Sequence, residues 1–281
     1  MAKGLSLHLG LNHVDPRKYE GWDGALVACE ADAKDMRRLA SARGFKPTIL
    51  LTRKATAAAV IKAIGAAAAQ LSAGDTYFLT YSGHGSQVPD TNGDEKDDQD
   101  ETWVLYDREL VDDELYALWT KFKQGVRILV LSDSCHSGSV TKLVSYRTVT
   151  EGRGRGARPY GQDRPPRFRR MPLAVERQVN KRHKKLYDQI QKSHMGAEHQ
   201  PVGASVFLVS GCQDNQLSSD GDKNGLFTGT LLEVWKAGKF RGGYRRFHRE
   251  IVNHMPPWQS PNFYRVGAAD LRFERQKPFT V

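Results

Sequence analysis

Residues 126–131, Val-Arg-Ile-Leu-Val-Leu, are apolar at every position but one. A strand of that kind is buried on both faces, which happens where helices cover both sides of a parallel sheet. The stretches before it fit the same plan. Residues 6–11 and 76–81 read as strands, and 48–51 is a short β-branched and apolar run. Leu26, Cys29, Ala33, Met36 and Leu39 recur at helical spacing within 25–39, with Gly44 as a stop, and the Ala-rich 56–71 is a second helix. A strand at 102–106 and a helix at 112–123 follow. Further on, 173–193 and 225–235 read as helices, 204–210 as an apolar strand, and the tail from Gly267 as short and extended. Strands alternating with helices predict one α/β domain built on a largely parallel sheet.

In such sheets ligands bind beyond the C-terminal strand ends. Two strands end there on reactive side chains. Residues 76–81 run into Ser82-Gly83-His84-Gly85, and 126–131 run into Asp133-Ser134-Cys135-His136. Cysteine is the best side-chain nucleophile near neutral pH, and it needs a base close by. If the two strands are neighbours, Cys135 and His84 meet at one sheet edge, on small-residue turns that would expose them. Flanking Gly83, Gly85 and Gly138 allow close backbone approach. His84 lies 51 residues upstream of Cys135, close to the spacing of the caspase arrangement. A buried thiol and a satisfied histidine are the bland reading of the same pair.

Charge is unevenly placed. Net charge is +10, and residues 141–200, with fifteen Lys and Arg against five Asp and Glu, account for all of it. Residues 90–114 carry twelve Asp and Glu against Lys96 and Arg108. A neutral body with one acidic loop and one basic insert suggests regulation by a cation and by cleavage, and argues against nucleic acid as the ligand. No run reaches 18 apolar residues, so no membrane span is expected. Ser6, His8 and Asn12 interrupt any hydrophobic leader. Cys29, Cys135 and Cys212 are too few and too scattered for a disulfide framework and read as reduced thiols of a cytoplasmic protein. Cys212 reads as a small buried residue, and Trp22, Trp103, Trp119, Trp235 and Trp258 as core or rim anchors.

Tyr81–Gly85 (YSGHG) and Asp133–Gly138 (DSCHSG) resemble the two catalytic motifs of metacaspases and orthocaspases. Leu26–Ala33 (LVACEADA) resembles a further motif of that family, with Ala28 in place of its glycine, and Ser210–Asp220 (SGCQDNQLSSD) resembles the small-subunit motif. The four occur in the family's order, and the resemblance spans the chain apart from about 145–200. It implies a caspase-like (caspase/hemoglobinase) α/β sandwich, with a mostly parallel sheet of six to eight strands. Residues 1–145 would be a large-subunit-like catalytic region, 146–200 a basic insert with a helix, and 201–281 a small-subunit-like region, all in one compact domain. Cys135 would attack the peptide carbonyl and His84 would shuttle the proton, with the backbone N–H groups of Cys135 and Gly85 as the oxyanion hole. Asp133, Asp32, Ser82 and Cys29 would line the specificity pocket. A carboxylate two residues before the nucleophile favours a cationic residue, so Arg or Lys is expected at P1.

The resemblance also implies calcium as an activating cofactor, held by Asp100, Asp112 and Asp113. The family's carboxylate shortly after the nucleophile has no counterpart in 137–144, where Lys142 stands instead. Taken alone, Asp90, Asn92, Asp94, Lys96, Asp98 and Glu101 have EF-hand ligand spacing, but Glu95 stands where the sixth-position glycine belongs. A solvated acidic loop is the third reading. Within 147–170 lie eight arginines: Arg147, Arg153, Arg155, Arg158, Arg164, Arg167, Arg169 and Arg170. An Arg-specific peptidase carrying such a segment has a substrate within itself, so a self-processing zymogen is expected. Partners are then proteins or peptides with Arg or Lys at P1, and a monomer is expected by resemblance. The alternative is a catalytically silent caspase-fold module that regulates or binds an anionic partner. Retention of Cys135, His84 and the pocket acids speaks against it.

Overall fold

The computed structural model describes residues 2–91, 93, 98–135, 167–197, 200–212 and 216–281. Its core is a six-stranded sheet. In chain order the strands are β1 (Gly4–Gly10), β2 (Lys46–Leu51), β3 (Thr76–Ser82), β7 (Arg127–Asp133), β9 (Ser205–Ser210) and β11 (Asn262–Gly267), arranged spatially as β11-β9-β7-β3-β1-β2. All neighbours are parallel except β11, which runs antiparallel to β9. The mostly parallel sheet with flanking helices agrees with the expected caspase-like class.

β7 shows why its sequence is apolar throughout. Ile128 and Val130 enter one core, and Leu129 and Leu131 enter the other. The first core is closed by α2 (Ala57–Gln70) and α3 (Asp112–Trp119). The second is closed by α1 (Cys29–Ala42), α5 (Leu226–Trp235) and α6 (Tyr244–His254). Period-two alternation thus feeds two hydrophobic layers from one strand. Thr56 caps α2 by accepting from the Ala59 N–H.

A second, three-stranded antiparallel sheet runs β4 (Gly85–Pro89), β5 (Gln99–Val104), β6 (Glu109–Val111). It is joined to the main sheet by stacking of Tyr81 on Trp103 and by a Trp103 Nε1 bond to Ser132 Oγ. A small core covers it, made of Val14, Tyr19, Val88, Val104, Val111, Met171, Val179 and Tyr187, the last two from α4 (Leu173–His194). A short ribbon pairs β8 (Arg167–Phe168) with β10 (Ser219–Asp220).

Several expectations shift. The helix expected from residue 25 starts at Cys29, and the strand expected at 102–106 spans Gln99–Val104. The tail beyond Gly267 is not simply extended: α7 (Leu271–Arg275) forms there, capped by the Asp270 carboxylate on the Arg272 and Phe273 N–H groups. Trp103, Trp119 and Trp235 are core residues, while Trp258 is exposed. Gly138, the stretch 137–144, five of the eight arginines (Arg147, Arg153, Arg155, Arg158 and Arg164) and Asn92, Asp94, Glu95 and Lys96 lie outside the described residues. Among the described residues no helix is long and apolar enough to cross a membrane.

Candidate active site

β3 and β7 lie side by side in the sheet centre, in register from Thr76↔Arg127 to Ser82↔Asp133. His84 and Cys135 each stand two residues past that last rung. Parallel pairing therefore carries His84 and Cys135 to the same sheet edge. They are not exposed there as expected: Cys135 is fully buried and His84 nearly so. The cover is the chain's own segment around Arg169.

Arg169 is fully buried and fills an acidic pocket. Its Nη2 lies 2.7 Å from Asp32 Oδ2 and 3.0 Å from Asp220 Oδ1, and its Nη1 lies 2.9 Å from Asp133 Oδ2. Nη1 also donates to Ser82 Oγ at 2.9 Å and to the Asp133 carbonyl at 3.1 Å. Burial opposes the guanidinium charge, but Asp133, Cys29, Asp32 and Asp220 together hold its pKa well above the ordinary arginine value. Burial raises the Asp32 carboxyl above the usual range, with Arg169 pulling it back down.

The carboxylates are themselves held. Asp32 accepts from Ser82 Oγ, Asn224 Nδ2 and the Gly225 N–H. Asp133 accepts from Ser218 Oγ, Thr228 Oγ1 and the Thr228 N–H. Asp220 accepts from the Val27 and Ala28 N–H groups. A Cβ on Gly225 would lie 2.5 Å from the Arg169 guanidinium, so the pocket wall needs glycine there.

The Arg169 backbone is gripped as tightly. Its carbonyl oxygen accepts from the Gly85 N–H at 2.9 Å and the Cys135 N–H at 3.2 Å. Two N–H groups thus converge on one carbonyl oxygen beside a thiol, the donor arrangement that an oxyanion hole requires. Gly85 must be glycine, since a Cβ there would lie 1.7 Å from the Cys135 carbonyl oxygen. The Arg169 N–H donates to the Ser218 carbonyl at 3.0 Å, extending the β8–β10 ribbon. Cys135 Sγ accepts from the Ser218 N–H at 2.7 Å. The buried Gln259 fixes this strand through the Ser219 N–H, Ser218 Oγ and the Gly211 carbonyl.

His84 is oriented by Gly24. Its Nε2 meets the Gly24 carbonyl at 3.1 Å, and the ring packs edge-on against Trp22. Burial lowers its pKa to about 4, against the raising effect of the Gly24 bond; Arg169 lowers it further, and the Arg170 backbone is close enough to raise it. The imidazole is therefore neutral. A carbonyl can only accept, so the proton sits on Nε2 and Nδ1 is left unprotonated, buried and without a hydrogen-bond partner among the described residues.

Asp133, Asp32 and Ser82 of the expected pocket touch Arg169 directly, and Cys29 is buried beside it, next to Ser82. Asp220 was part of a quoted motif without a role, and the Gly24 carbonyl carried no sequence signal at all. Cys212 is buried, its thiol against the Ser134 carbonyl. Asp100 is buried on β5, and Asp112 and Asp113 open α3 one residue past the Thr102↔Val111 rung. Among the described residues no three His, Cys, Asp or Glu side chains gather to hold a metal ion.

The caspase-domain family profile matches residues 14–270. Metacaspase-1 of Mycosarcoma maydis is 30% identical over 258 residues, covering 81% of this chain and 60% of that protein. Metacaspase-1 of Saccharomyces cerevisiae is 32% identical over 206 residues, covering 66% and 46%. The chain thus spans about half to three-fifths of the length of these curated relatives. Among solved structures, a protein from Geobacter sulfurreducens is 52% identical with a TM-score of 0.88, and 99% of each chain is covered. Caspase-1 from Spodoptera frugiperda shares the fold at a TM-score of 0.53 and 10% identity, over 95% of this chain and 86% of that one.

Proposed function

The chain belongs to the caspase-domain peptidase family, and from that premise we propose that it is a cysteine endopeptidase that cuts after Arg or Lys and processes itself between Arg169 and Arg170. One observation carries this reading. Arg169 lies among three carboxylates while its carbonyl oxygen receives the Gly85 and Cys135 N–H groups. This is the posture of a P1 residue awaiting attack.

The proposed reading implies the following steps. Cys135 Sγ attacks the Arg169 carbonyl carbon as His84 Nδ1 takes the thiol proton. The oxygen gains charge under the Gly85 and Cys135 N–H groups. The carbon–nitrogen bond breaks, and His84 passes its proton to the departing Arg170 nitrogen. Water, deprotonated by His84, then hydrolyses the thioester and restores the thiol. Until Arg169 leaves, its side chain blocks the pocket, so the uncut chain is self-inhibited.

Calcium stimulation also belongs to the proposal. Register supports bringing Asp100 and the Asp112-Asp113 pair to one end of the small sheet, but calcium takes six to eight oxygen ligands, and the described residues offer no ready site. Calorimetry with calcium tests it directly. A cytoplasmic setting, with three free thiols, and a monomer complete the reading.

The test is hydrolysis of matched Arg, Lys and Asp reporter peptides, alongside Cys135→Ala, with intact-mass analysis of the enzyme. Arg and Lys turnover lost in Cys135→Ala, with a cut after Arg169, supports the proposal. Better cleavage of the Asp reporter overturns the specificity. No reporter cleavage together with no cut after Arg169 would favour a silent caspase-fold module.

A further inference from the structure

One residue beyond the bond at Arg169, Arg170 enters a second acidic pocket. Its guanidinium lies 3.0 Å from Glu176 Oε2, and both side chains are nearly buried. Glu176 also accepts from Ser86 Oγ at 3.0 Å. Ser86 follows Gly85 directly, so this pocket hangs on the same strand as the oxyanion donor. The backbone continues the pattern, because the Met171 N–H donates to the Gly85 carbonyl at 3.0 Å and Gly85 bridges Arg170 in parallel.

A second carboxyl stands nearby. Glu109 on β6 is fully buried and bonded by Thr102 Oγ1 and the Tyr187 hydroxyl. Burial, reinforced by the charge of Glu176, pushes it up to about 7. Two neighbouring buried acids are costly together without a cation, and arginine supplies one that cannot be neutralised.

Glu176 keeps its place without Arg170. It sits in the first turn of α4, which is anchored by buried Val179, Tyr187 and Gln191 and by Asn180 and Gln191 bonds to the Gln87 and Pro89 carbonyls. Only residues 170–172 link the bond at Arg169 to this helix. A cut there makes Arg170 a chain end, one residue before the buried Met171, so that its side chain can leave while the acid stays.

We propose that Glu176, with Glu109 behind it, forms a prime-side subsite selecting Arg or Lys just after the scissile bond, so that the peptidase cuts best between paired basic residues. The inference rests on the proposed cleavage after Arg by Cys135.

Four peptides identical except at the two scissile positions (Arg-Arg, Arg-Ala, Arg-Glu and Ala-Arg) are given to the self-processed enzyme and to Glu176→Gln. Wild type should turn over Arg-Arg on the order of tenfold faster than Arg-Ala in kcat/KM, with Arg-Glu slower still, as expected for one charge-assisted bond. In Glu176→Gln the Arg-Arg to Arg-Ala ratio should fall toward one. Equal turnover of Arg-Arg and Arg-Ala by wild type overturns the subsite alone. Cleavage of Ala-Arg between its Ala and Arg, with the cut located by mass spectrometry, as fast as Arg-Arg, or of none of the four, overturns the reading beneath it as well. The wild-type comparison decides even if Glu176→Gln folds poorly.

Discussion

Asp133 meets the Arg169 guanidinium at 2.9 Å and stands two residues before Cys135, on the last rung that β7 shares with β3. In the proposed peptidase, specificity and nucleophilicity are therefore set by one strand end. The carboxylate proposed to read the P1 side chain cannot shift without moving the thiol proposed to attack its carbonyl. Two further acids, Asp32 from α1 and Asp220 from β10, close on the same cation from separate elements.

Asp32 and Asp133 can be neutralised almost isosterically. Asp32→Asn and Asp133→Asn should each lower kcat/KM for an Arg reporter on the order of 100-fold, the scale of breaking a buried, hydrogen-bonded charge pair. Most of that loss should appear in KM, since the side chain is bound equally before and during attack. Steady-state kinetics on Arg and neutral reporters checks this. An unchanged Arg preference in Asp133→Asn contradicts the assigned pocket.

Gly85→Ala tests the oxyanion hole by steric means. The added Cβ would lie 1.7 Å from the Cys135 carbonyl oxygen, so the two turns must separate and the Gly85 N–H must leave its acceptor. Loss of one such donor is worth about 100- to 1,000-fold in kcat. Self-processing should slow by at least that factor in a time course followed by mass spectrometry. Processing at the wild-type rate would place the oxyanion elsewhere.

The central architecture was legible because β3 and β7 are buried on both faces and end on glycine-flanked turns. Their adjacency, a condition that the sequence leaves open, is met by the register, which brings His84 and Cys135 to one sheet edge. β11 was hidden because Tyr264 and Arg265 face outward on an edge strand, which blurs the apolar pattern. In α6 the spacing of Tyr244, Phe247 and Ile251 was present, but four basic residues between them obscured it. In the pocket, Asp32, Asp133, Ser82 and Cys29 came from motif resemblance. Gly24 acts through a carbonyl that any residue possesses, so it had no signal. Arg169 was one arginine of eight, and only the geometry linking β10 to Gly85 singles it out.

His8 yields a pH prediction separable from catalysis. It is buried in the sheet centre, bonded to Ser6 and Thr80, and burial, with Arg37 nearby, lowers it from 6.5 to about 3. Below pH 6.5 the unfolded chain takes up a proton there and the folded chain does not, so stability falls as pH falls across that window. His84 acts in the same sense between 6.5 and about 4, while Glu109, raised to about 7, acts in the opposite sense. Comparison with His8→Gln, which can keep both hydroxyl bonds, isolates the one group. From pH 7 to pH 5 wild type should lose about 2 kcal/mol more than His8→Gln in urea unfolding. Parallel profiles would contradict a neutral buried His8.

Arg169→Gln removes the cation and leaves three buried carboxylates facing one another. Breaking a buried pair by deleting one partner costs about 3–5 kcal/mol, so Tm should drop by several degrees although the core is untouched. The same deletion vacates the pocket and removes the P1 residue of the proposed cut. A small guanidinium ligand such as arginine amide should then bind the variant and raise its Tm in proportion to the logarithm of ligand concentration. Uncut Cys135→Ala, whose pocket keeps Arg169, should show no such rise. Measured side by side, the two variants separate the roles of Arg169. If Arg169→Gln is as stable as Cys135→Ala and gains nothing from the ligand, the three acids do not form a cation pocket, and the proposed P1 specificity loses its physical basis.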